Sequence, residues 1–249
     1  MSTAPLTGRR ALVTGGSRGI GAETVRRLTS DGAAVAFTYS ASAAEAEKLV
    51  AEVAEHGGRA VAIQADSADP AQVAAAVEQT VTELGGLDVL VNNAAVAHMA
   101  VIDEFPGEEF DRLVAINIGG MFWAVRTAVK HLGEGARIIN IGSINADQMP
   151  NPGFSVYGMT KGAVASFTRG LARDLGPRGI TVNNVQPGPI DTDANPDNGS
   201  EFSESAKKLL PLGRYGHVSD VAAIVSFLAG PESGFVTGAS WNVDGGFTV

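Results

Sequence analysis

The chain has 249 residues, 45% of them apolar, and its 18 Lys and Arg against 27 Asp and Glu give a formal net charge of -9. It has no cysteine, which excludes a disulfide scaffold, a thiolate metal site and a cysteine nucleophile. The acidic balance argues against a nucleic-acid partner, because phosphate backbones attract clustered Lys and Arg. No apolar run approaches the ~20 residues of a membrane span. Met1 to Arg10 lack the apolar segment of a signal peptide, so we expect a cytoplasmic protein without membrane contact.

Apolar segments of strand length alternate with helical segments along the chain. The strands are nearly continuous in Val, Ile, Leu and Ala, as in strands covered on both faces. Such alternation predicts an α/β, doubly wound fold with a parallel sheet of about seven strands and helices on both faces. The predicted strands are 11–14, 35–39, 60–64, 89–92, 137–141, 181–185 and 239–243, and the predicted helices are 20–30, 43–56, 70–84, 107–132, 155–175 and 218–229.

Two helix starts carry the residues of a capping box, a reciprocal pair of side-chain to backbone hydrogen bonds in the first turn. They are Ser42 with Glu45 and Asp69 with Gln72. No linker, repeat or low-complexity tract divides the chain, so we expect a single domain over residues 1–249.

The first predicted strand leads into Thr-Gly-Gly-Ser-Arg-Gly-Ile-Gly at residues 14–21, and a helix follows at once. Its glycines allow a tight turn and close approach of a pyrophosphate, and the helix start supplies N–H groups with a partial positive charge. The loop also fits the Gly-x-Ser-x-Gly elbow of hydrolases, but no His stands in a recognisable triad context. The Gly-Lys-Ser/Thr of a P-loop is absent. We therefore predict a bound nucleotide here, with a ligand-free tight turn as the plainer alternative.

Tyr157 and Lys161 are four residues apart in a predicted helix and therefore share one face. A cation that close favours the phenolate, so we expect Lys161 to lower the pKa of Tyr157 and prepare it for proton transfer at a carbonyl oxygen. Ser143 follows the fifth predicted strand, at the edge of the sheet where ligands bind, and its hydroxyl would bond the same oxygen. Each residue alone has a plainer role in packing or capping.

In this order and spacing, the motifs resemble those of the short-chain dehydrogenase/reductase superfamily, which implies a single-domain Rossmann fold. The resemblance spans residues 8–249. It departs from the family pattern at Ala95, where glycine is usual, and in a slightly longer interval between Ser143 and Tyr157. The residues that carry it are the glycine loop 14–21, Asp66, Asn92-Asn93-Ala94-Ala95, Asn117, Ser143, Tyr157 to Lys161, Pro187-Gly188-Pro189-Ile190 with Thr192, and Asp244-Gly245-Gly246.

The resemblance implies a catalytic tetrad. Tyr157 would be the acid/base, and Lys161 would lower its pKa and hold the nicotinamide ribose. Ser143 would polarise the substrate carbonyl, and Asn117 would hold a water of the proton relay. We predict no metal ligands. The predicted cofactor contacts are Gly15, Ser17, Arg18, Gly19, Ile20, Gly21, Tyr39, Ser40, Ser42, Asp66, Ser67, Asn93, Ala94, Tyr157, Lys161, Pro187, Gly188, Ile190 and Thr192.

The end of the second predicted strand bears on the choice between NAD and NADP. It reads Phe-Thr-Tyr-Ser at residues 37–40, without the acidic residue that binds the ribose 2′-hydroxyl in NAD-preferring relatives. Arg18 stands where related NADP enzymes place a basic residue against the 2′-phosphate, and Ser40 and Ser42 would donate hydrogen bonds. The plainer roles are a solvated Arg18 and a Ser42 that only caps its helix. We predict NADP(H).

Three functions remain open at this point. The first is an NADP-dependent carbonyl reductase or alcohol dehydrogenase for a small ketone. The second is a 3-oxoacyl-acyl-carrier-protein reductase, although the net charge of -9 opposes docking of an acidic carrier. The third is a cofactor-binding regulator without turnover, which the presence of all four tetrad residues disfavours.

The long polar segment 191–216 is expected to act as a substrate lid, because loops of this length in a compact domain are usually functional or mobile. Its helical part is predicted at 203–210. The family resemblance implies a homotetramer, with the helices 107–132 and 155–175 at one two-fold interface and the last strand with the tail 245–249 at another.

Overall fold

Seven parallel strands form one sheet across residues 4–249, the part of the chain that this computed structural model describes. Their order in the sheet is β3-β2-β1-β4-β5-β6-β7, so the direction of winding reverses between β1 and β4. A doubly wound sheet binds ligands in the crevice at this reversal, beyond the carboxyl ends of the strands. The strands are β1 Arg10–Val13, β2 Ala34–Tyr39, β3 Arg59–Gln64, β4 Val89–Asn92, β5 Arg137–Ile141, β6 Thr181–Pro187 and β7 Ser240–Val243.

Helices cover both faces of the sheet, which confirms the predicted fold class. Along β1, Ala11 and Val13 point into the core shared with α1, α2 and α8, while Leu12 points into the core shared with α3, α5 and α6. Because both faces are buried, the central strands β1, β4 and β5 show no polar alternation in sequence. The helices are α1 Gly19–Ser30, α2 Ala43–Glu55, α3 Pro70–Leu84, α4 Gly107–Leu113, α5 Met121–Ala128, α6 Ser155–Leu175, α7 Glu201–Lys208 and α8 Val218–Ala229.

The predicted single helix 107–132 was wrong in its interior and at its end. Between α4 and α5, residues Val114–Gly120 form wider π-helical turns, and α5 ends at Ala128. A π segment admits an extra residue into the helix and commonly occurs at functional sites. Asn117 lies within it. The helix in segment 191–216 also begins and ends two residues earlier than the predicted 203–210.

One of the two predicted capping boxes is wrong and the other is incomplete. Ser42 precedes α2 but makes no side-chain capping bond. Asp69 does cap α3, accepting from the N–H groups of Ala71 and Gln72. The Gln72 side chain reaches Asp66 N rather than Asp69 N, so reciprocity is lost. A reciprocal box forms instead at the start of α8, between His217 and Asp220.

Candidate active site

The glycine loop lies at the carboxyl end of β1, in the crevice where the sheet reverses. Gly15 and Gly19 adopt left-handed backbone angles, with φ of +64° and +53°, a conformation that favours glycine. A Cβ on Gly21 would overlap the carbonyl oxygen of Gly15 and lie 2.6 Å from Nδ2 of Asn93. The three glycines therefore serve the turn and the packing of α1 against it, as their spacing predicted.

Two threonines that the sequence analysis did not assign hold this loop in place. Thr14 Oγ1 accepts from the N–H groups of Asn93 at 3.0 Å and Ala94 at 3.1 Å. Asn93 Nδ2 in turn donates to the carbonyl oxygens of Thr14 and Gly15. Thr38 Oγ1 accepts from Gly15 N at 3.0 Å. Thr14 is part of the glycine-loop motif, but its role could not be predicted because its bonding partners lie far away in the chain.

The loop fits the pyrophosphate of a dinucleotide. In residues 4–249 no side chain caps the start of α1, so its first N–H groups point into the crevice as donors for an anion. Thr192, predicted to meet a phosphate, faces this start, because a Cβ on Gly19 would lie 3.5 Å from its Cγ2. Ser17, Ile20 and Gly21 lie on the same turn.

Basic residues line a cleft beside the loop. Arg18 borders it together with Ser17 and Gly19, and Lys48 on α2 also lines it, as do the carboxylates Glu45 and Asp193. A third cation, Arg26, is ion-paired with Glu52 at 2.8 Å. The predicted phosphate ligands Ser40 and Ser42 lie just before α2 and outside the lining of this cleft, while Tyr39 packs against the apolar core.

The remaining predicted cofactor residues follow the other strand ends along the crevice. Asp66 follows β3, and its Oδ1 accepts from Ala68 N at 2.9 Å. Ser67 shares the lining of an interior cavity with Asn117 and Lys161. Pro187 ends β6, and Gly188 N bonds the carbonyl oxygen of Val243. Ile190 forms an isolated bridge with Gly216 at the base of the predicted lid.

Ser143, Tyr157 and Lys161 come together where β5 meets α6. Lys161 is buried, and its Nζ donates to the carbonyl oxygen of Ile141 at 2.9 Å and lies 5.7 Å from the centre of the Tyr157 ring. Ser143 follows β5 and exchanges hydrogen bonds with Asn145, through the backbone N–H and the Oδ1. The helical spacing of Tyr157 and Lys161 thus places both side chains against one strand end.

The pKa values of the pair differ from the expectation drawn from their spacing. Burial raises the pKa of the Tyr157 phenol, and the hydrogen bond with the Ser143 hydroxyl opposes part of this rise. Burial lowers the pKa of Lys161 to about 8. The predicted lowering of the Tyr157 pKa by Lys161 is therefore wrong for this geometry. The ammonium group donates to the carbonyl oxygen of Ile141 on β5, and desolvation of the phenol is the largest cause of the shift in its pKa.

Asn117 reaches the same region from the π-helical turns. Its side-chain amide bonds both backbone groups of Val96, accepting from the N–H and donating to the carbonyl oxygen, each at 2.9 Å. It also donates to Thr160 Oγ1, which donates to the carbonyl oxygen of Tyr157. The π segment thereby connects the loop after β4 to the helix that carries Tyr157 and Lys161. Thr160 was not among the predicted residues.

The described part of the chain contains neither a candidate membrane-spanning helix nor a cluster of metal ligands. None of the helices within residues 4–249 is both long enough and apolar enough to cross a membrane. Across the same residues, no group of three or more His, Asp or Glu side chains gathers in a way that could hold a metal ion.

The fold and this crevice together define a nucleotide-binding Rossmann protein with a Tyr–Lys–Ser cluster. A family model described as "Enoyl-(Acyl carrier protein) reductase" matches residues 15–248. The chain belongs to the short-chain dehydrogenase/reductase family.

Similar proteins include dehydrogenases/reductases and a protein named as a mediator of biofilm dispersal. The chain is 46% identical to the cyclic-di-GMP-binding biofilm dispersal mediator protein of Escherichia coli, over 97% of this chain and 98% of that protein. A short-chain dehydrogenase/reductase of Serratia marcescens is 51% identical, with a TM-score of 0.97 over 98% of this chain and 100% of that one. A short chain dehydrogenase of Burkholderia cenocepacia, solved in complex with NADP, is 46% identical, with a TM-score of 0.96 over the same shares.

Proposed function

We propose that this protein is an NADP(H)-dependent oxidoreductase that interconverts a ketone or aldehyde and an alcohol. The observation that carries the proposal is the convergence of Ser143, Tyr157 and Lys161 at the strand end next to a glycine loop that fits a dinucleotide. Membership of a family of oxidoreductases supports the same reaction class. We propose residues 1–249 as one catalytic domain.

NADP(H) is the proposed cofactor, and two observations support it. Arg18 and Lys48 line the cleft beside the glycine loop, where a ribose 2′-phosphate would add two negative charges. The Burkholderia relative was solved with NADP. When bound, NADP(H) supplies or accepts the hydride, and the protein supplies position and electrostatics.

The proposed roles of the side chains follow from their chemistry. Tyr157 donates a proton to the carbonyl oxygen during reduction, as a general acid at the oxygen that receives charge when hydride is transferred. The Ser143 hydroxyl bonds the same oxygen and orients it. Lys161 holds the nicotinamide ribose and offers positive charge beside the phenol. Asn117 fixes the loop after β4 and holds the water of the proton relay.

Segment 191–216 is proposed as a lid over the substrate. Its helix α7 is held by Lys207, which pairs with Asp197 at 2.5 Å and Glu204 at 2.9 Å. Leu210 and Tyr215 are buried with Ala206 in a small apolar cluster that packs against Phe247 of the C-terminal tail and is separate from the two large cores. A segment with a separate core can open without disturbing the sheet.

A panel of ketones and alcohols assayed with NADPH, NADH and their oxidised forms tests the proposal. Turnover of a carbonyl compound with preference for NADPH is expected. Tyr157→Phe should lower kcat by ~10²- to 10⁴-fold, the usual share of general acid catalysis, while cofactor binding is retained. Unchanged turnover by this variant would remove Tyr157 from its role.

Two other functions can be distinguished in the same assays. A 3-oxoacyl-acyl-carrier-protein reductase would prefer acetoacetyl thioesters over simple ketones, and the description of the matching family model favours testing them. A regulator would bind ligand without turnover, and the Escherichia coli relative is named as a cyclic-di-GMP-binding protein. Titration with cyclic di-GMP, in the presence and absence of NADPH, tests that alternative.

A further inference from the structure

Gln186 is fully buried at the end of β6, directly before the Pro187-Gly188 turn. Its Nε2 donates to Asp147 Oδ2 at 2.7 Å and to Asn242 Oδ1 at 3.0 Å. Its Oε1 accepts from Asn184 Nδ2 at 2.9 Å. Because both N–H groups and the oxygen are engaged, this amide has one fixed orientation.

The sheet and the C-terminal tail hold the partners of this amide on one side. Asn242 lies on the edge strand β7, and its Nδ2 donates to Thr248 Oγ1 at 2.8 Å. Thr248 donates onward to Asp244 Oδ2 at 2.7 Å. Asn184 also donates to Ser240 Oγ, across from it on β7. Gln186 is therefore anchored to two strands and to the tail.

On its other side, Gln186 contacts a loop that approaches the reacting groups. Asp147 is exposed and lies in the segment 144–150, which begins immediately after Ser143. This segment rests on Gly158, the neighbour of Tyr157: a Cβ there would lie 2.7 Å from the carbonyl oxygen of Asn145 and would overlap Sδ of Met149. Its position thus determines the space beside both the phenol and the serine hydroxyl.

We infer that Gln186 is a positioning residue that fixes segment 144–150 as a wall of the substrate pocket by holding Asp147. This inference rests on the proposed carbonyl–alcohol activity of the same site. The segment's own backbone bonds are short-range, from Ala146 N to Ser143 O and from Asp147 N to Ile144 O. They shape the turn, whereas the Asp147–Gln186 bond joins it to the sheet.

A reversal of donor and acceptor tests this bond. Gln186→Glu removes both N–H donors and sets a carboxylate against that of Asp147, which repels the segment. Adding Asp147→Asn restores a bond of opposite polarity, because the new amide donates to the new carboxylate. Asp147→Ala, at an exposed position that does not threaten folding, removes the tie alone. Asp174→Ala, an exposed carboxylate near the far end of α6, is the matched control.

The kinetic readout is the KM for the carbonyl substrate, compared with kcat and with the KM for NADPH. Gln186→Glu and Asp147→Ala are expected to raise the substrate KM about tenfold, the equivalent of one charge-assisted hydrogen bond, with the other two constants nearly unchanged. The double variant should recover most of the loss. Equal impairment of the single and double variants, or an equal rise in the KM for NADPH, would overturn the inference.

Hydrogen exchange of the peptide covering 144–150 gives a readout that does not need activity. Faster exchange in Gln186→Glu and recovery in the double variant are expected. Absence of wild-type turnover across the substrate panel would reject the proposed function, and the exchange data would still decide whether Gln186 holds the segment. Unchanged exchange in Gln186→Glu would reject the tie itself.

Discussion

Lys161 carries an ammonium group into the interior beside β5, with 3% of the residue exposed. Burial lowers its pKa to about 8, from an ordinary value of 10.5. Below pH 8 the folded and unfolded chains both hold the proton, and the folded state carries the full desolvation cost. As the pH rises through 10.5 the unfolded chain also loses its proton, and this cost disappears. The Lys161 contribution to stability therefore improves between pH 8 and pH 10.5.

Lys161→Met tests this linkage. The free energy of unfolding of the variant should exceed that of the wild type at neutral pH, and this difference should shrink by about 3 kcal/mol at a pH above 10.5. The reason is that the pKa of Lys161 is about 8 in the folded chain and 10.5 in the unfolded chain. Urea denaturation of both proteins at the two pH values measures it, and other titrating groups cancel in the difference. A difference that stays constant with pH would contradict the assigned shift.

Arg18 is the residue at which cofactor choice is tested. Arg18→Ala should lower kcat/KM for NADPH by ~10- to 100-fold, the loss of one or two charge-assisted bonds to the 2′-phosphate. The value for NADH should change little, because that cofactor lacks the phosphate. Arg59→Ala is the control, since Arg59 is the first residue of β3 and lies at the amino ends of the strands, away from the crevice. Its side chain donates to the carbonyl oxygen of Glu83. Equal losses with both cofactors would remove Arg18 from this role.

At the scale of elements, two glycines in helices differ in the space available for a side chain. Gly21 sits in the first turn of α1, where a Cβ would overlap Gly15. Gly170 lies exposed within α6, where a Cβ would meet nothing within 4 Å. Helix propensity favours alanine at both, so packing alone separates them.

Substituting alanine at each position should therefore have opposite effects. Gly170→Ala should stabilise the protein by about 1 kcal/mol through helix propensity. Gly21→Ala should destabilise it by ~1–3 kcal/mol through overpacking, and should weaken NADPH binding because the glycine loop is displaced. Chemical denaturation and a cofactor titration measure these changes. Stabilisation by Gly21→Ala would mean that the loop yields easily.

At the scale of the whole molecule, the exposed apolar side chains within residues 4–249 include two separate faces that contain aromatic clusters. One lies on α5 and α6, where Phe122 is exposed and packs against Trp123 and Phe167. The other lies near α8 and β7, with Phe235 fully exposed and Phe227 packed on Trp241 at 5.8 Å. Two separate apolar faces on one chain suit a dimer of dimers with two kinds of two-fold interface.

The homotetramer that the family resemblance implies remains a proposal, which these faces support and light scattering tests. The wild type is expected at four times the chain mass of 25.5 kDa. Phe122→Asp and Phe235→Asp each place a charge in one interface and should halve the particle mass, while the two together should yield the single chain. A wild type that scatters as one chain would reject the assembly.

The strand positions and the main chemical groups could be predicted from the sequence because both depend on local spacing. Strands buried on both faces show continuous apolar runs, and residues four apart in a helix share a face, so β1 to β7 and the Tyr157–Lys161 pair were visible in advance. The glycine loop was visible for the same reason, since its turn is built from consecutive residues.

The tertiary structure decided what depends on contacts between distant segments. Within the π-helical turns, the Asn117 amide bonds Val96 in the loop after β4, and no local pattern specifies that partner. The pKa of Tyr157 rises because packing removes water from the phenol, an effect that exceeds the opposing effect of the hydrogen bond with Ser143. The Gln186–Asp147 bond joins residues 39 positions apart, one on β6 and one in the loop after β5, which meet only when the sheet assembles.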